Sequence, residues 1–519
     1  MNDAPPASDS NGRARRRVIF TLLMLFLLGT AASLGPGITW DEPDYVLGGY
    51  NYAQWLTHLS PDSFSREIID RYWAFNHEHP PAAKLVYGLA GSFQGDAGLG
   101  LFLTARIAAV AMFVALAGLV YVFLAGRFGR AAGAIGALSL ALMPRVFGHG
   151  HLAALDVPVA LACFATTLVF FRAHESKWRA AAAGVLWGVA LLTKLNAVFL
   201  PVVLIPWALW FHGKRALVPC VMLFVLGAAV FFAGWPWLWH DTAGRVQEYA
   251  VNKAERLGED ARPTGTTSVP VHYLGTTYRA ERAPWHYPFV MTLVTVPLGL
   301  LLFAGIGAGG AVRRGGTRGA GVLMLASALL PLVVLALPMV PKYDGVRLFM
   351  PAFPFVACFA GIGGAKIWAW RGRLGRTLVV AVLAFCAVVL SWTRPYELSY
   401  YSGLVGGAWG AERLGFETTY WGDTVTPDVL DAVNTDCPDG SSIAVRPPFA
   451  RLRPWLKQEL VWFDGRMSDA THPDFLLVFP RQGYLDEFTK NLIRTREPVR
   501  RWTYCGVPQC MLFDLRNGK

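Results

Sequence analysis

Trp40-Asp41-Glu42-Pro43 sets two adjacent carboxylates where the first apolar run of the chain ends. Asp41 and Glu42 are therefore catalytic candidates. A carboxylate at a lipid–water boundary can take the proton of an acceptor hydroxyl if its pKa and geometry suit; the alternative is a solvated acidic loop. Further on, Asn76-His77-Glu78-His79-Pro80-Pro81-Ala82-Ala83-Lys84 gathers ionisable residues rare in so apolar a chain. The proline pair imposes extended backbone before it. Glu78 and His79 offer groups to a substrate or a metal, and Lys84 offers a point charge to a phosphate; a polar turn between interfacial helices is the alternative. A third segment holds Pro144, Arg145, His149, His151 and Asp156, the last opening an apolar run. Ionisable side chains at such depth are costly and usually functional, which makes Asp156 a third catalytic candidate. His149 and His151, with Glu78, form a candidate metal-ligand set, although hydrogen-bonded structural histidines are commoner. Lys194, Lys342 and Arg347 stand near the ends of apolar runs. There a cation can hold a lipid phosphate by charge-assisted hydrogen bonds, or simply snorkel.

These groups need a membrane scaffold. Apolar residues make up 54% of the 519 and charged residues only 16%, against about 25% charged in soluble domains. Apolar runs long enough to span a bilayer recur: 18–38, 99–126, 131–147, 152–172, 179–194, 196–212, 216–235, 287–311, 319–340, 346–370 and 377–393. The net charge of +12 does not point to nucleic acid, because it lies in short clusters between these runs. Arg13–Arg17, Arg127 and Arg130, Arg172–Arg179, Lys214 and Arg215, Arg313–Arg318, and Arg371–Arg376 fall in every second loop. The positive-inside rule makes that set cytoplasmic. The opposite side then receives loops 39–98 and 236–286, the turn near 145–156, and everything after 394. The expected organisation is a disordered basic N-terminus (1–17), a transmembrane domain (18–393) and an extracytoplasmic C-terminal domain (394–519). An uncleaved first helix is preferred over a signal peptide.

The tail reads as mixed α/β, with strands at Ser442–Val445 and Phe475–Phe479 and helices at Pro427–Asn434 and Leu485–Ile493. Its cysteines, Cys437, Cys505 and Cys510, allow one disulfide with a thiol left over. Trp235, Trp237 and Trp239 fit an interfacial belt.

Several motifs occur in order on one side: Asp41-Glu42, His79-Pro80-Pro81-x-x-Lys84, Pro144-Arg145…His149…Asp156-x-Pro158, Arg347-x-x-x-Pro351, Tyr396–Tyr401 and Gly415–Asp423. Over about residues 18–425 the chain resembles the GT-C superfamily of integral-membrane glycosyltransferases. The resemblance is to protein O-mannosyltransferase-like (family 39-like) and aminoarabinose-transferase-like bacterial enzymes. It implies a mainly α, polytopic fold of about eleven transmembrane helices with a small extracytoplasmic α/β domain, in a bacterial inner membrane. It implies a polyprenyl-phosphate-linked sugar as donor and a lipid, glycan or protein hydroxyl as acceptor, commonly with inversion. Asp41 matches the family's first-loop acid and takes the role of base, with Asp156 a second acidic position. Glu78 and His79 match a motif that differs between branches; His79 stands where the aminoarabinose branch has lysine. A divalent metal is left open, since its use differs between branches.

The chemistry agrees with that reading. A lipid phosphate leaving group needs cations to receive it and a base for the hydroxyl. Lys84, Arg145, Lys194, Lys342 and Arg347 are candidates for the first task. A multi-pass transporter or lipid flippase is the competing reading; it predicts inverted repeats and midplane charge, whereas the distinctive residues here gather on one side.

Overall fold

The structure, a computed structural model, describes residues 7–92, 99–249, 269–313, 315–370, 372–465, 467–468 and 471–516; residues 250–268 of loop 236–286 therefore lie outside the described residues. All eleven expected spans coincide with helices. They begin with α1 (Ala7–Ala32). Three short helices of the first loop follow: α2 (Glu42–Thr57), α3 (Arg66–Trp73) and α4 (Ala82–Gly91). Next come α5 (Leu99–Phe128), α6 (Arg130–Ala141), α7 (Pro144–Gly150), α8 (Asp156–Phe170) and α9 (Lys177–Thr193). They continue with α10 (Pro201–His212), α11 (Leu217–Ala233), α12 (Tyr287–Thr295) and α13 (Leu298–Ala311). The set closes with α14 (Arg318–Ala336), α15 (Phe353–Ala369) and α16 (Arg373–Thr393).

Among the described residues, six helical stretches are long and apolar enough to cross a membrane, or up to eight if each of two bent pairs is one span. The protein is a multi-pass membrane protein. Two expected spans are bent. α6 and α7 meet at 76° just before Pro144, and α12 and α13 meet at 116°. At the second break Val296 is extended, the conformation a following proline favours. Leu195–Ala233 forms one 39-residue helical run, yet its halves run in opposite directions. A Cβ built on Gly184 would touch Met222, and one on Gly188 would touch Gly227 and Val230, so α9 and α11 are parallel. The chain must therefore return through α10, turning at Gly213 (φ +54°).

The first loop is a helical cap. α2 and α4 approach so closely that a Cβ on Gly49 would lie 1.9 Å from the Lys84 carbonyl oxygen. The tryptophans expected in an interfacial belt are instead partly or wholly inside. Trp235 and Trp237 are buried in a cluster with Tyr52, Trp55 and Trp73, where Trp239 also packs. They anchor the cap to the end of α11.

In the tail, α17 (Gly407–Arg413) and α18 (Pro427–Asp436) precede a five-stranded sheet, and α19 (Glu487–Thr495) lies within it in sequence. A hairpin, β1 (Pro270–Tyr273) and β2 (Thr276–Arg279), stands earlier in the chain. The sheet comprises β3 (Ser442–Arg446), β4 (Val461–Trp462), β5 (Phe475–Val478), β6 (Arg500–Tyr504) and β7 (Val507–Asp514), ordered β4-β3-β5-β7-β6. Pairing is parallel from β4 to β5 and antiparallel beyond. Alternation along the strands separates two faces. Ile443, Val445, Leu477 and Leu512 join Tyr45 of α2 and Phe102 of α5; Ala444, Leu476, Val478 and Phe513 join Leu492 of α19. The tail is thus docked on the cap. All seven cysteines are free, Cys437 and Cys510 being buried and Cys505 exposed, so the disulfide that the tail cysteines allow is not formed.

Candidate active site

Asp41 lies where three segments meet. Gly37 donates its N–H to the Asp423 carbonyl at 2.7 Å and Trp40 to that of Trp421 at 2.9 Å, tying the approach to Asp41 onto the segment after the last span. Asp41 then stands at the N-cap of α2, with proline in the first turn. Its side chain makes no capping bond, which leaves the carboxylate free to turn toward Arg347.

Arg347 is the hub. Its Nη2 donates to Asp41 Oδ2 at 2.5 Å and its Nη1 to Asp344 Oδ2 at 2.7 Å, while Nε lies 3.4 Å from Asp156 Oδ2. The guanidinium plane lies over Trp421, with Cζ 4.3 Å from the ring centroid. A planar fork can address three carboxylates in this way, and an ammonium cannot. Asp156 passes the network on through Oδ1, which accepts from Lys194 Nζ at 2.6 Å. Asp344 accepts from Arg481 Nη2 at 2.7 Å, and Arg481 Nε lies 3.5 Å from Glu417. The backbone is unusual here: Asp344 has φ +54° and Gly345 φ +61°. A Cβ on Gly345 would fall 2.5 Å from Arg145 Nη1, so glycine is required. Such conformations concentrate at functional sites.

Exposure separates these charges. The Asp41 side chain is 31% exposed and that of Lys194 14%, whereas Arg347, Asp344 and Asp156 are 7%, 6% and 1% exposed. One carboxylate and one ammonium thus open outward from an otherwise buried ionic network. Tyr45 OH reaches Asp41 Oδ2 at 3.4 Å and restrains it.

The other candidates divide by what already holds them. Glu42, expected beside Asp41 as a catalytic group, is fully buried and turned inward. Arg106 Nε and Nη2 donate to it at 2.9 and 2.8 Å, and it accepts from the backbone of Thr39 and Ala153. Burial works to raise its pKa, but the Arg106 charge and these hydrogen bonds hold it below the usual carboxylate range. It acts as a brace between α2, α5 and the turn after α7. Lys84, expected to meet a phosphate, is also buried. Its ammonium donates to the carbonyls of Asn76 and His79 at 2.6 and 2.7 Å and to Tyr52 OH at 3.1 Å. Burial pushes its pKa down to about 7. It holds the His77–Pro81 turn closed, with Glu78 close enough to act on it electrostatically. His79 stacks edge-on against Tyr45 at 5.4 Å, next to Asp41. Lys342 donates to the carbonyls of Leu337 and Val340, which uses it as a loop clasp. Arg145 donates to the Tyr400 carbonyl at 3.0 Å and lies over Tyr401 and Tyr420.

The expected metal-ligand set does not come together. Among the described residues no three His, Cys, Asp or Glu side chains form a metal-holding group. His149 contacts Tyr420 OH at 3.3 Å and Trp421, and His151 packs on Phe147; Glu78 belongs to the Lys84 turn.

Two important arginines escaped the sequence reading. Arg106 carried a usable signal, an ionisable residue inside an apolar helix. Arg481 lies in the polar tail, where nothing in its surroundings marks it. Three buried carboxyls after the last span, Glu397, Glu417 and Asp423, are pushed up by burial to about 8, 7 and 7.

Comparison with known proteins gives a family match over part of the chain and a shared fold. Residues 78–240 match the family model described as dolichyl-phosphate-mannose-protein mannosyltransferase. No curated protein sequence matches the chain. The fold is shared with ArnT from Cupriavidus metallidurans bound to undecaprenyl phosphate, at 15% identity and TM-score 0.51 over 95% of this chain and 97% of that one. The apo state of that protein gives 15% identity and TM-score 0.52 over 96% and 98%. AglB from Archaeoglobus fulgidus, in complex with an inhibitory peptide and a dolichol-phosphate, is similar at 13% identity and TM-score 0.46, over 81% of this chain and 58% of that one. Residues 78–240 thus match a mannosyltransferase family model, and the chain as a whole shares its fold with ArnT.

Proposed function

We propose that the protein transfers a sugar from a polyprenyl-phosphate donor to a hydroxyl of a lipid, glycan or protein acceptor, on the extracytoplasmic side of a bacterial inner membrane. The carrying observation is the pairing of exposures: Asp41 is the carboxylate of the cluster that opens outward, and Lys194 is its outward cation. Asp41 takes the proton of the acceptor hydroxyl as that oxygen attacks the anomeric carbon. The bond from that carbon to the lipid phosphate breaks, and the phosphate leaves with the bonding electrons. Lys194 receives the phosphate, and Arg347 fixes Asp41, Asp156 and Asp344 in one arrangement. Preorganised charge of this kind needs no reorganisation during reaction. His79 and Tyr45 border the acid. Glu42, Lys84 and Lys342 support the loops that carry these groups. The alternating basic loops favour a cytoplasmic N-terminus and an extracytoplasmic C-terminal domain.

The test is a panel of polyprenyl-phosphate sugars offered to purified protein in lipid with a membrane extract as acceptor, following free polyprenyl phosphate. Release from one donor names the sugar. No release from any donor by folded protein overturns the proposal.

A further inference from the structure

A cleft of about 1090 Å³ lies between the C-terminal domain and the cap. Its walls combine Pro43 and Leu47 of α2 with Arg453, Trp455, Lys457 and Trp462 of the tail. Phe102, in the first turns of α5, forms the floor, so the cleft sits at the end of a membrane-crossing helix. Trp455 is fixed edge-on to Phe102 at 5.2 Å, and the Trp462 indole N–H is held by Asp464. Both rings are half-buried and line the cleft.

The charges are unbalanced. Arg451 is paired with Asp44 at 2.9 Å and Lys457 with the exposed Asp439 at 2.6 Å. Arg453 is exposed and has no ion pair among the described residues. The Arg451–Asp44 pair marks the way to the active site. Asp44 follows Asp41 by one helical turn and is close enough to feel its charge. Pro43, which lines the cleft, stands two residues after Asp41.

We infer that this cleft binds the acceptor, and that the acceptor segment it takes is an anionic glycan, a sugar chain bearing phosphate or carboxylate. The guanidinium of Arg453 and the ammonium of Lys457 meet the anion, and the two indole faces receive the sugar rings. The inference rests on the sugar-transfer reading for its purpose but not for its binding.

The probe is fluorescent pentamannose 6-phosphate, with unphosphorylated pentamannose as control, titrated into the full chain in neutral-lipid nanodiscs. Wild type binds the phosphorylated probe roughly tenfold more tightly, the scale of one charge-assisted contact. Arg453→Ala with Lys457→Ala abolishes that preference, and Arg453→Lys with Lys457→Arg restores it. Equal affinity of wild type for both probes, or a preference unchanged in the alanine pair, overturns the cleft assignment. Donor turnover by wild type is measured on the same preparation. Charge-dependent binding without turnover supports the cleft and overturns the transfer reading; turnover without charge-dependent binding overturns the cleft alone.

Discussion

Replacing Arg347 by lysine keeps one positive charge and removes the fork. In the structure three nitrogens serve three carboxylates, at 2.5 Å to Asp41, 2.7 Å to Asp344 and 3.4 Å to Asp156. A lysine ammonium can keep one of the two short contacts, so one is lost and the Asp156 approach goes with it. A hydrogen bond to a charged group contributes about 1.5–3 kcal/mol. If that loss falls on the transition state, the rate drops by roughly 10–100-fold, at about 1.4 kcal/mol per factor of ten. Arg347→Ala goes further and leaves three buried or half-buried carboxylates without their shared cation. Breaking such a buried pair costs about 3–5 kcal/mol, so this variant loses folded protein. The assay is initial rate of polyprenyl phosphate release for wild type and Arg347→Lys, each checked for monodispersity in detergent. A lysine variant within threefold of wild type at saturating donor would refute the argument that the fork organises the site.

Other outcomes follow from the same geometry. Glu42→Ala leaves Arg106 buried and uncompensated; at about 3–5 kcal/mol it lowers the yield of folded protein, whereas Asp41→Asn does not, which size-exclusion profiles distinguish. Arg481→Ala, in the tail, strips Asp344 of its second partner. It lowers kcat about tenfold or more with little change in donor KM, and an unchanged kcat would remove Arg481 from the network. Glu397 carries a folded pKa raised by burial to about 8, against about 4.3 unfolded. The unfolded state loses its proton first, so stability is full below about pH 4.3 and falls progressively as pH rises from there through about 8. Glu397→Gln should match the wild-type melting temperature near pH 4 and exceed it by a margin that grows from there to about pH 8; parallel curves would contradict the shift.

The sequence disclosed the membrane architecture because apolar length and alternating basic loops are local signals. Asp41, Asp156 and Arg347 were legible for the same reason, as ionisable residues at helix ends in an apolar chain. Their partnership was not: 306 residues separate Asp41 from Arg347. Nor did composition separate the working cations from the bracing ones. Lys84 and Lys194 look alike in sequence, and only the Asn76 and His79 carbonyls around Lys84 set its task apart. Glu42 and Asp41 look equivalent in sequence because adjacency hides opposite orientations, one acid facing the hub and its neighbour facing Arg106. The bend at Val296-Pro297 was readable from the proline, but its angle depends on tertiary packing.

The most direct test compares wild type with Asp41→Asn in a single-turnover reaction, using the donor that the panel identifies and an acceptor-containing lipid extract. Asparagine keeps the shape of the side chain but cannot take the hydroxyl proton, and general-base catalysis contributes about 10²–10⁴-fold. The account predicts a loss in that range with the variant folded and still binding donor. Full transfer by folded Asp41→Asn would contradict it.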